Sequence, residues 1–191
     1  RDLHKGQEIH YKVVKERLLH KDVVIGNALV DMYAKCGELM KAREVFHELR
    51  VKNVVTWTAL IMGYVQYGHS KEALNLFSQM RSEGVTPNAI TFVCILKACG
   101  NIYDIEKGEE IHAEISRKRL LENNIFLATS LVDMYAKCGA IMKAKEVFDE
   151  IRAPDIVSWN ALIGGYAQHG YSEEALDCFE CMQNRCRIIP D

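Results

Sequence analysis

The sequence predicts an all-α protein, built as an α-solenoid of helix-turn-helix repeats. The segment LVDMYAKCG at Leu29–Gly37 returns unchanged at Leu131–Gly139, 102 residues later. Between these copies apolar residues recur with helical spacing and are interrupted by Gly and Pro, whereas no alternating strand pattern competes. One helix pair cannot bury its own apolar face, but a stack of pairs shares a continuous core.

Finer repeats of 31, 35 and 36 residues divide the 102-residue unit. Each is predicted to hold two antiparallel helices joined by a tight turn. We place a partial repeat with a second helix only at 1–22. Complete repeats follow at 23–53, 54–88, 89–124, 125–155 and 156–191.

The repeat at 54–88 illustrates how the sequence predicts each element. Its first helix carries an apolar face at helical spacing: Trp57, Leu60, Ile61 and Tyr64. Gly68 is expected to end that helix, and Ser70 to cap the second one. The second helix is expected to bury Ala73, Leu74, Phe77 and Met80. Gly84 and Pro87 then close the repeat.

Composition excludes several classes of protein. The 191 residues include 24 Lys and Arg against 26 Asp and Glu, a formal net charge of −2, and 49% hydrophobic residues. That balance is wrong for a disordered chain, and no apolar run is long enough to span a bilayer, so we expect no membrane association. The seven scattered Cys favour a reducing compartment over a disulfide framework. The chain lacks a starting Met and is expected to be an excerpt.

Three segments carry a specific family resemblance. They are NALVDMYAKCGELMKAREVFHEL, VVTWTALIMGYVQYGHSKEALNLFSQMRSEGVTPN and AITFVCILKACGNIYDIEKGEEIHAEI. In this order they resemble the S, P and L motifs of plant pentatricopeptide repeat proteins of the PLS subfamily. The partial repeat at 1–22 is then L-type, 23–53 and 125–155 are S-type, 54–88 and 156–191 are P-type, and 89–124 is L-type. The resemblance implies a right-handed superhelix.

The resemblance also implies binding of single-stranded RNA, one repeat per nucleotide, with the N-terminus toward the RNA 5′ end. Two side chains per repeat, at its fifth and last positions, would read each base. These base-reading pairs are Asn27 with Asn53, Thr58 with Asn88, Val93 with Asn124, Thr129 with Asp155, and Asn160 with Asp191.

Hydrogen-bond chemistry supports half of this code. An ionised Asp only accepts, so Asp155 and Asp191 suit the ring N–H of G or U. An Asn amide donates, so Asn53 and Asn88 suit the bare ring nitrogen of A or C. The family uses Thr at the fifth position for purines and Asn for pyrimidines. Together the pairs predict 5′-C-A-N-G-U-3′, with the third base undetermined because Val93 cannot hydrogen-bond through its side chain.

Two further sets of residues follow from the resemblance. The second position of each repeat would wedge between bases, and it is apolar throughout: Val24, Val55, Ile90, Phe126 and Val157. Lys35 and Lys137 occupy equivalent places near the end of a first helix, where the family places a phosphate contact. A role in stabilising the helix C-terminus through its dipole remains an equal alternative.

Pieces of catalytic motifs occur but are better explained by repeat positions. His112 and Glu114 satisfy H-x-E, and Cys178 and Cys181 satisfy C-x-x-C, the parts of a zinc deaminase signature. Asp177 stands where that signature has Pro. Cys178, Cys181 and Cys186 with His169 form a zinc set by composition only. Cys36 and Cys138 recur at one repeat position, which indicates a packing or turn role. We expect neither catalysis, a cofactor nor a metal.

Two function classes remain. The first is the RNA-recognition part of an organellar RNA editing or processing factor, in a mitochondrion or chloroplast, working with other such factors. The second is a helical scaffold that binds a protein or peptide partner. Polar residues at fixed repeat positions favour RNA. The uncapped ends of the repeat array predict self-association.

Overall fold

The computed structural model describes residues 3–20, 22–122 and 124–186. These residues form eleven α-helices and a 3₁₀ helix at Leu18–His20, with no strand among them. The α-helices in chain order are α1 (Leu3–Lys15), α2 (Val23–Lys35), α3 (Leu39–Glu48), α4 (Val54–Gln66), α5 (Ser70–Ser82), α6 (Ala89–Ile102), α7 (Ile105–Arg117), α8 (Ile125–Lys137), α9 (Ile141–Asp149), α10 (Ile156–Gln168) and α11 (Ser172–Cys186). The predicted all-α class is therefore confirmed over the described ranges.

The chain divides into two compact units, Arg1–Ala98 and Cys99–Asp191. In the first unit, α2 packs against its partner α3 and also against α4, the first helix of the next pair. In the second unit, α8 packs in the same way against α9 and α10. First helices thus lie side by side within each unit, with second helices behind them. The assignment of the pairs to S, P and L types stays a prediction.

The first helices approach each other closely where a glycine faces an alanine. A Cβ atom on Gly63 would lie 2.6 Å from the Cβ of Ala34, and one on Gly165 would lie 2.5 Å from the Cβ of Ala136. Both separations are too short for two carbon atoms, so only glycine fits. This contact sets the spacing of α2 with α4 and of α8 with α10.

Large aromatic side chains fill the space behind the first helices. Trp57 is fully buried, and its ring meets that of Phe46 edge-on with 4.6 Å between centroids. Trp159 and Phe148 repeat the contact at 4.7 Å. The two tryptophans are therefore core residues, as their place on the apolar stripe predicted, and they are not platforms for stacked bases.

Glycine signals mark some helix ends, whereas non-glycine residues with a positive φ follow α1, α6 and α7. Gly68 and Gly84 have φ of +82° and +75°, the left-handed conformation that ends α4 and α5 as predicted. After α6, the residue with this conformation is Tyr103, whose φ is +59°. Gly100 instead lies inside α6, where an added Cβ would come 3.2 Å from the Lys137 side chain.

Two details of the second helix in the 54–88 repeat were predicted wrongly. Ser70 is the first residue of α5 and is buried, whereas the capping position falls on His69, which makes no side-chain cap. Leu74 is only half-buried, and Leu76 lies in the core instead. Ala73, Phe77 and Met80 are buried as predicted.

Candidate nucleic-acid interface

Within the described part of the chain, four residues predicted to end a repeat cap the helix that follows: Asn53, Asn88, Asn124 and Asp155. Asn53 precedes α4, and its Oδ1 accepts from the backbone N–H groups of Val55 and Thr56 at 3.0 and 3.1 Å. Asn88 does the same for α6, Asn124 for α8 and Asp155 for α10, at 2.9, 3.2 and 2.8 Å. Helix starts leave backbone donors without partners, so Asn and Asp are favoured there.

Capping fixes which atom of each side chain remains available. A backbone N–H only donates, so the atom that faces it must be an oxygen. The second polar atom of Asn53, Asn88 and Asn124 is therefore the Nδ2 amide, a donor. The second atom of Asp155 is Oδ2, an acceptor. Helix capping thus leaves a second polar atom on each of these side chains, and its hydrogen-bonding sense depends only on the choice of Asn or Asp.

In the first junction, the fifth residue of one repeat is tied to its last residue. The Thr56 hydroxyl donates to Oδ1 of Asn27. The Asn27 amide in turn donates to Oδ1 of Asn53, with 3.4 Å between the atoms. The Asn53 backbone N–H donates back to the Thr56 hydroxyl at 3.1 Å, which completes a capping box. The predicted pair Asn27 and Asn53 is therefore brought together.

The same arrangement recurs in two further junctions. The hydroxyls of Thr58 and Thr91 lie 2.7 Å apart, and Thr91 donates to Oδ1 of Asn88 at 3.0 Å. In the second unit, the Thr129 hydroxyl lies 2.7 Å from that of Ser158. Ser158 donates to Asp155, again at 2.7 Å. Thr58 differs from Asn27 and Thr129 in exposing only 6% of its surface, so a base can reach only a small part of it.

Asp155 is held in its ionised form. Partial burial opposes the charge, but hydrogen bonds from the backbone and hydroxyl of Ser158 and from the backbone of Val157 outweigh it. They keep the pKa of the Asp155 carboxyl below its usual value. At neutral pH its second oxygen is therefore an acceptor only.

The remaining two predicted pairs stay predictions. Val93 is half-buried in the first unit, and Asn124 caps α8 in the second. The third residue of α8 is Leu127, which offers Asn124 a backbone N–H but no hydroxyl. Asn160 is exposed on α10, whereas its partner Asp191 lies outside the described residues.

The predicted wedge residues form an exposed apolar series. Each is the second residue of a first helix, one residue after the start that its cap fixes. Between 52% and 74% of each side chain is exposed, although large apolar residues ordinarily avoid water: Val24, Val55, Ile90, Phe126 and Val157. Each therefore lies two residues after the capping residue of its helix.

The two predicted phosphate-contacting lysines end equivalent helices. Lys35 pairs with Asp31 at 2.6 Å, and Lys137 pairs with Asp133 at 2.7 Å, each with its partner one turn earlier. Both side chains remain partly exposed, at 48% and 34%. The dipole role and a phosphate contact are compatible with this geometry, since an ion pair at the surface is weak.

The third-position hydroxyls were missed by sequence reasoning. Thr56, Thr91 and Ser158 are completely buried and connect the fifth and last residues of each described pair. A signal was present, because each follows an Asn or Asp by three residues at a helix start, the spacing of a capping box.

The residues that resembled catalytic motifs have structural roles. His112 lies 2.9 Å from the Tyr135 hydroxyl, and burial lowers the pKa of this imidazole. Glu114 is buried and pairs with Lys118 at 2.9 Å. Cys36 and Cys138 are the C-caps of α2 and α8, the turn role expected for them.

The described part of the chain holds neither a metal-binding cluster nor a helix that could span a membrane. Among those residues, no three His, Cys, Asp or Glu side chains come together as metal ligands. No helix there is long and apolar enough to cross a membrane. The Cys186 side chain lies outside the described residues.

Models of known repeats match most of the chain. The model of the PPR repeat family matches residues 52–101. The model of the PPR repeat matches residues 27–54, 126–153 and 157–186.

Curated relatives come from Arabidopsis thaliana. The putative pentatricopeptide repeat-containing protein At3g23330 is 41% identical over 184 residues, which cover 96% of this chain and 26% of the relative. The chloroplastic protein At1g11290 is 42% identical over 182 residues, which cover 95% of this chain and 22% of that relative. The mitochondrial protein At3g13770 is 38% identical over 186 residues, covering 97% and 29%. The chain thus spans less than a third of each.

Solved structures share the fold. A crystal structure of the pentatricopeptide repeat protein PPR10 with an 18-nt psaJ RNA element has a TM-score of 0.81 at 21% identity and covers 97% of this chain and 28% of that one. The PPR domain of Arabidopsis thaliana protein-only RNase P 1 with tRNA has a TM-score of 0.62 at 15% identity, covering 85% and 89%. At these identities the likeness confirms the predicted helical-repeat solenoid. The matches to the repeat models show that the chain belongs to the pentatricopeptide repeat proteins.

Proposed function

We propose that this chain binds single-stranded RNA and reads one base per repeat, with the preference 5′-C-A-N-G-U-3′. The observation that carries the proposal is the repeated junction in which a capping Asn or Asp commits one oxygen to the helix and is followed, two residues later, by an exposed apolar residue. A solvated helix surface has no need of this combination at a fixed interval. Splayed bases need both, because they present a polar edge and two apolar faces.

The last residue of each repeat selects between two classes of base edge. The free Nδ2 of Asn53 and Asn88 donates, which suits the unprotonated ring nitrogen of C or A. The free Oδ2 of Asp155 accepts, which suits the ring N–H of G or U. With its lowered pKa, Asp155 remains charged at neutral pH, and a hydrogen bond to a charged acceptor is worth more than a neutral one. Helix capping therefore supports this half of the proposed code.

The apolar series supplies the affinity that does not depend on sequence. Val24, Val55 and Phe126 are at least half exposed, and each is the second residue of a first helix. Stacking a base against such a side chain removes apolar surface from water on both partners. Aromatic stacking is worth on the order of 1–3 kcal/mol per base, so Phe126 should contribute most.

The comparisons support RNA as the ligand class. PPR10 and the PPR domain of RNase P 1 were crystallised with an RNA element and with tRNA. Relatives named mitochondrial or chloroplastic support an organellar setting. Within a longer protein, this array would serve as the address-reading part of an RNA editing or processing factor, and the proposal gives it no catalytic step. Membership of the PLS subfamily, the repeat boundaries, a partnership with other factors and self-association are part of the same proposal.

Fluorescence anisotropy with labelled octaribonucleotides tests the function. An octamer containing CAAGU should bind more tightly than one containing the reversed sequence UGAAC, which has the same composition. Each wrong base at one of the four specified positions should weaken binding about three- to tenfold, the worth of one hydrogen bond. Substitution of the third base should change little.

Indifference to base identity at all four specified positions would overturn the base code. Failure to bind any octamer at protein concentrations up to about 100 μM, a Kd worth roughly 5 kcal/mol, would favour the scaffold function instead. A polypeptide partner retained on the same face would then replace RNA. Sedimentation of the unliganded chain across the same concentrations checks for self-association, which would otherwise distort the binding curve.

A further inference from the structure

Three buried hydroxyls occupy the same place in the described junctions. Thr56, Thr91 and Ser158 are each the third residue of a first helix, and none has any exposed surface. Each touches the fifth residue of the preceding repeat and the capping residue before its own helix. We propose that these hydroxyls are positioning residues that orient the fifth residue and thereby set its choice between purine and pyrimidine. The proposal rests on the RNA-reading function above and assigns a role to residues that do not themselves contact a base.

Counting protons fixes the orientation in the junction of Thr129. A hydroxyl has one proton, and the Asp155 carboxylate can only accept, so the proton of Ser158 goes to Asp155 at 2.7 Å. Ser158 can then only accept from Thr129, which lies 2.7 Å away. Thr129 therefore donates its proton to Ser158. Only lone pairs remain for a ligand, so Thr129 presents an acceptor.

The junction of Asn27 gives the opposite result. The Thr56 hydroxyl has Oδ1 of Asn27 at 2.5 Å and Oδ1 of Asn53 at 3.1 Å, and its one proton goes to the nearer oxygen, which commits the oxygen of the Asn27 amide. One N–H of Nδ2 points to Oδ1 of Asn53 at 3.4 Å, and the second N–H remains. Asn27 therefore presents a donor. Thr58 presents an acceptor, as Thr129 does. Thr91 donates its proton to Asn88 at 3.0 Å and therefore accepts from Thr58.

Base chemistry matches this difference in sense. Both pyrimidines carry an O2 acceptor next to the ring N3, and a donor at the fifth position can bind it. A purine offers no acceptor at the corresponding place, since adenine has C2–H and guanine has an amino group. An acceptor at the fifth position repels pyrimidine O2 and tolerates or binds the purine. Asn27 thus favours a pyrimidine, and Thr129 favours a purine.

The sequence of the remaining junction agrees. Leu127 stands at the third position of α8, and the fifth residue of the preceding repeat is Val93. In three junctions the third residue of the helix carries a hydroxyl and the fifth residue of the preceding repeat is polar. In the fourth junction both residues are apolar. A purely structural capping role for the hydroxyl would not require this pairing, because Asn124 caps α8 without one.

Two isosteric changes test the proposal. Thr56→Val removes the hydroxyl that orients Asn27, and discrimination between C and A at the first base should fall about three- to tenfold. These bases share a bare ring nitrogen, so the comparison isolates the fifth residue. Ser158→Ala should reduce discrimination between G and U at the fourth base by a similar factor. These share a ring N–H, so Asp155 reads both.

Position-specific controls separate orientation from stability. In Thr56→Val, discrimination at the fourth base should be unchanged, and in Ser158→Ala discrimination at the first base should be unchanged. Preference for C over U at the first base should survive in Thr56→Val, since backbone N–H groups still hold Oδ1 of Asn53. Thr56→Ser keeps the hydroxyl and should restore the wild-type preference. Circular dichroism melts show whether each variant is folded.

The outcomes distinguish the two proposals. If the wild-type chain does not discriminate C from A at the first base or G from U at the fourth, the proposed function fails. If the wild type discriminates but Ser158→Ala and folded Thr56→Val still do so to the same degree, only the positioning role fails. Equal loss at every base in both variants would indicate general destabilisation and would also overturn it.

Discussion

Asn88 and Thr91 close a reciprocal pair of hydrogen bonds at the start of α6. The Thr91 backbone N–H donates to Oδ1 of Asn88 at 2.9 Å, and the Asn88 backbone N–H donates to the Thr91 hydroxyl at 3.3 Å. Oδ1 is thereby committed to the helix, and Nδ2 is the polar atom that remains. Asn88→Asp keeps the capping oxygen but replaces the remaining donor with an acceptor.

We therefore predict that Asn88→Asp changes the second base from A to G. Affinity for an octamer containing CGAGU should rise relative to CAAGU by roughly thirtyfold, because the hydrogen bond lost to A and the one gained to G are each worth about 1 kcal/mol. Competition binding with the four variants of the second base measures this. Asn53→Asp is the matched control, because it should change the first base from C to U and leave the second alone. An unaltered preference for A in Asn88→Asp would show that the repeat register is wrong.

A second prediction concerns the aromatic core of the first unit. Trp57 has no exposed surface and meets Phe46 edge-on at 4.6 Å, so Trp57→Ala leaves a large cavity and removes a favourable ring contact. The free energy of unfolding should fall by about 3–5 kcal/mol. Urea unfolding followed by far-UV circular dichroism measures the loss, while Trp159 serves as the fluorescent reporter of the second unit.

Val55→Ala is the control for that experiment. Val55 lies two residues from Trp57 on the same helix, but 52% of it is exposed. Its truncation should change the free energy of unfolding by less than about 0.5 kcal/mol, as for other surface positions. A similar loss in both variants would contradict the assignment of Trp57 to the core.

The local features of the fold could be predicted from the sequence. Trp57 lies on an apolar stripe of helical period, and Gly68 ends a helix, because both effects depend on residues within one or two turns. Ser70 was wrongly predicted to cap α5, because the exact residue at which a helix starts depends on the turn before it. The turn after Gly68 places His69 at the capping position and turns Ser70 into the interior, which residue type alone does not indicate.

The candidate site was predictable only in part. The positions of Asn27 and Asn53 followed from the family pattern. Their link through Thr56 did not, because Thr56 is 3 residues from Asn53 but 29 residues from Asn27. That contact depends on how α2 packs against α4. The burial of Thr58 has the same cause, since Thr91 of the next first helix covers its hydroxyl. Such contacts between successive helices cannot be obtained from the periodicity of one helix.

A third prediction concerns the apolar series. Phe126 is 74% exposed, so Phe126→Ala should leave the melting temperature nearly unchanged. RNA affinity should fall by about 1–3 kcal/mol, because a stacked base loses its aromatic partner. Met142→Ala is the matched control, since Met142 is equally exposed, at 72%, but lies on the second helix α9. Anisotropy titrations that show equal losses for both variants, or none for Phe126→Ala, would exclude the wedge role.

A fourth prediction concerns the dependence of binding on salt. The net charge is −2, and only Lys35 and Lys137 are assigned to phosphates. For single strands each phosphate contact contributes about −0.7 to the slope of log K against log salt, so the slope should be close to about −1.4. Titrations between roughly 50 and 300 mM KCl measure it.

Lys137→Gln should make that slope shallower by about 0.7 without changing base preference. Lys145→Gln is the control, because Lys145 also pairs with an acidic residue one turn away, Asp149, but lies on the second helix α9. A slope steeper than about −4 in the wild type would indicate phosphate-dominated binding and would contradict reading by base edges.

A fifth prediction concerns acid stability at the start of α10. The folded pKa of Asp155 lies below its ordinary value of 3.8, so the unfolded chain takes up a proton more readily than the folded one. The stabilisation is complete above that ordinary pKa and is lost as the pH falls through the folded pKa. Asp155→Asn retains a capping oxygen but does not titrate. The difference in free energy of unfolding, wild type minus Asp155→Asn, should therefore be larger at pH 6 than at pH 3 by about 0.5 kcal/mol, the usual worth of a carboxylate at a helix N-terminus. Urea unfolding of both proteins at pH 6, 4 and 3 measures this difference, and a constant value would show that Asp155 is not held in its ionised form.

The same variant should prefer A over G at the fourth base at pH 7, because its second polar atom has become a donor. One substitution therefore tests both the charge of Asp155 and the base code.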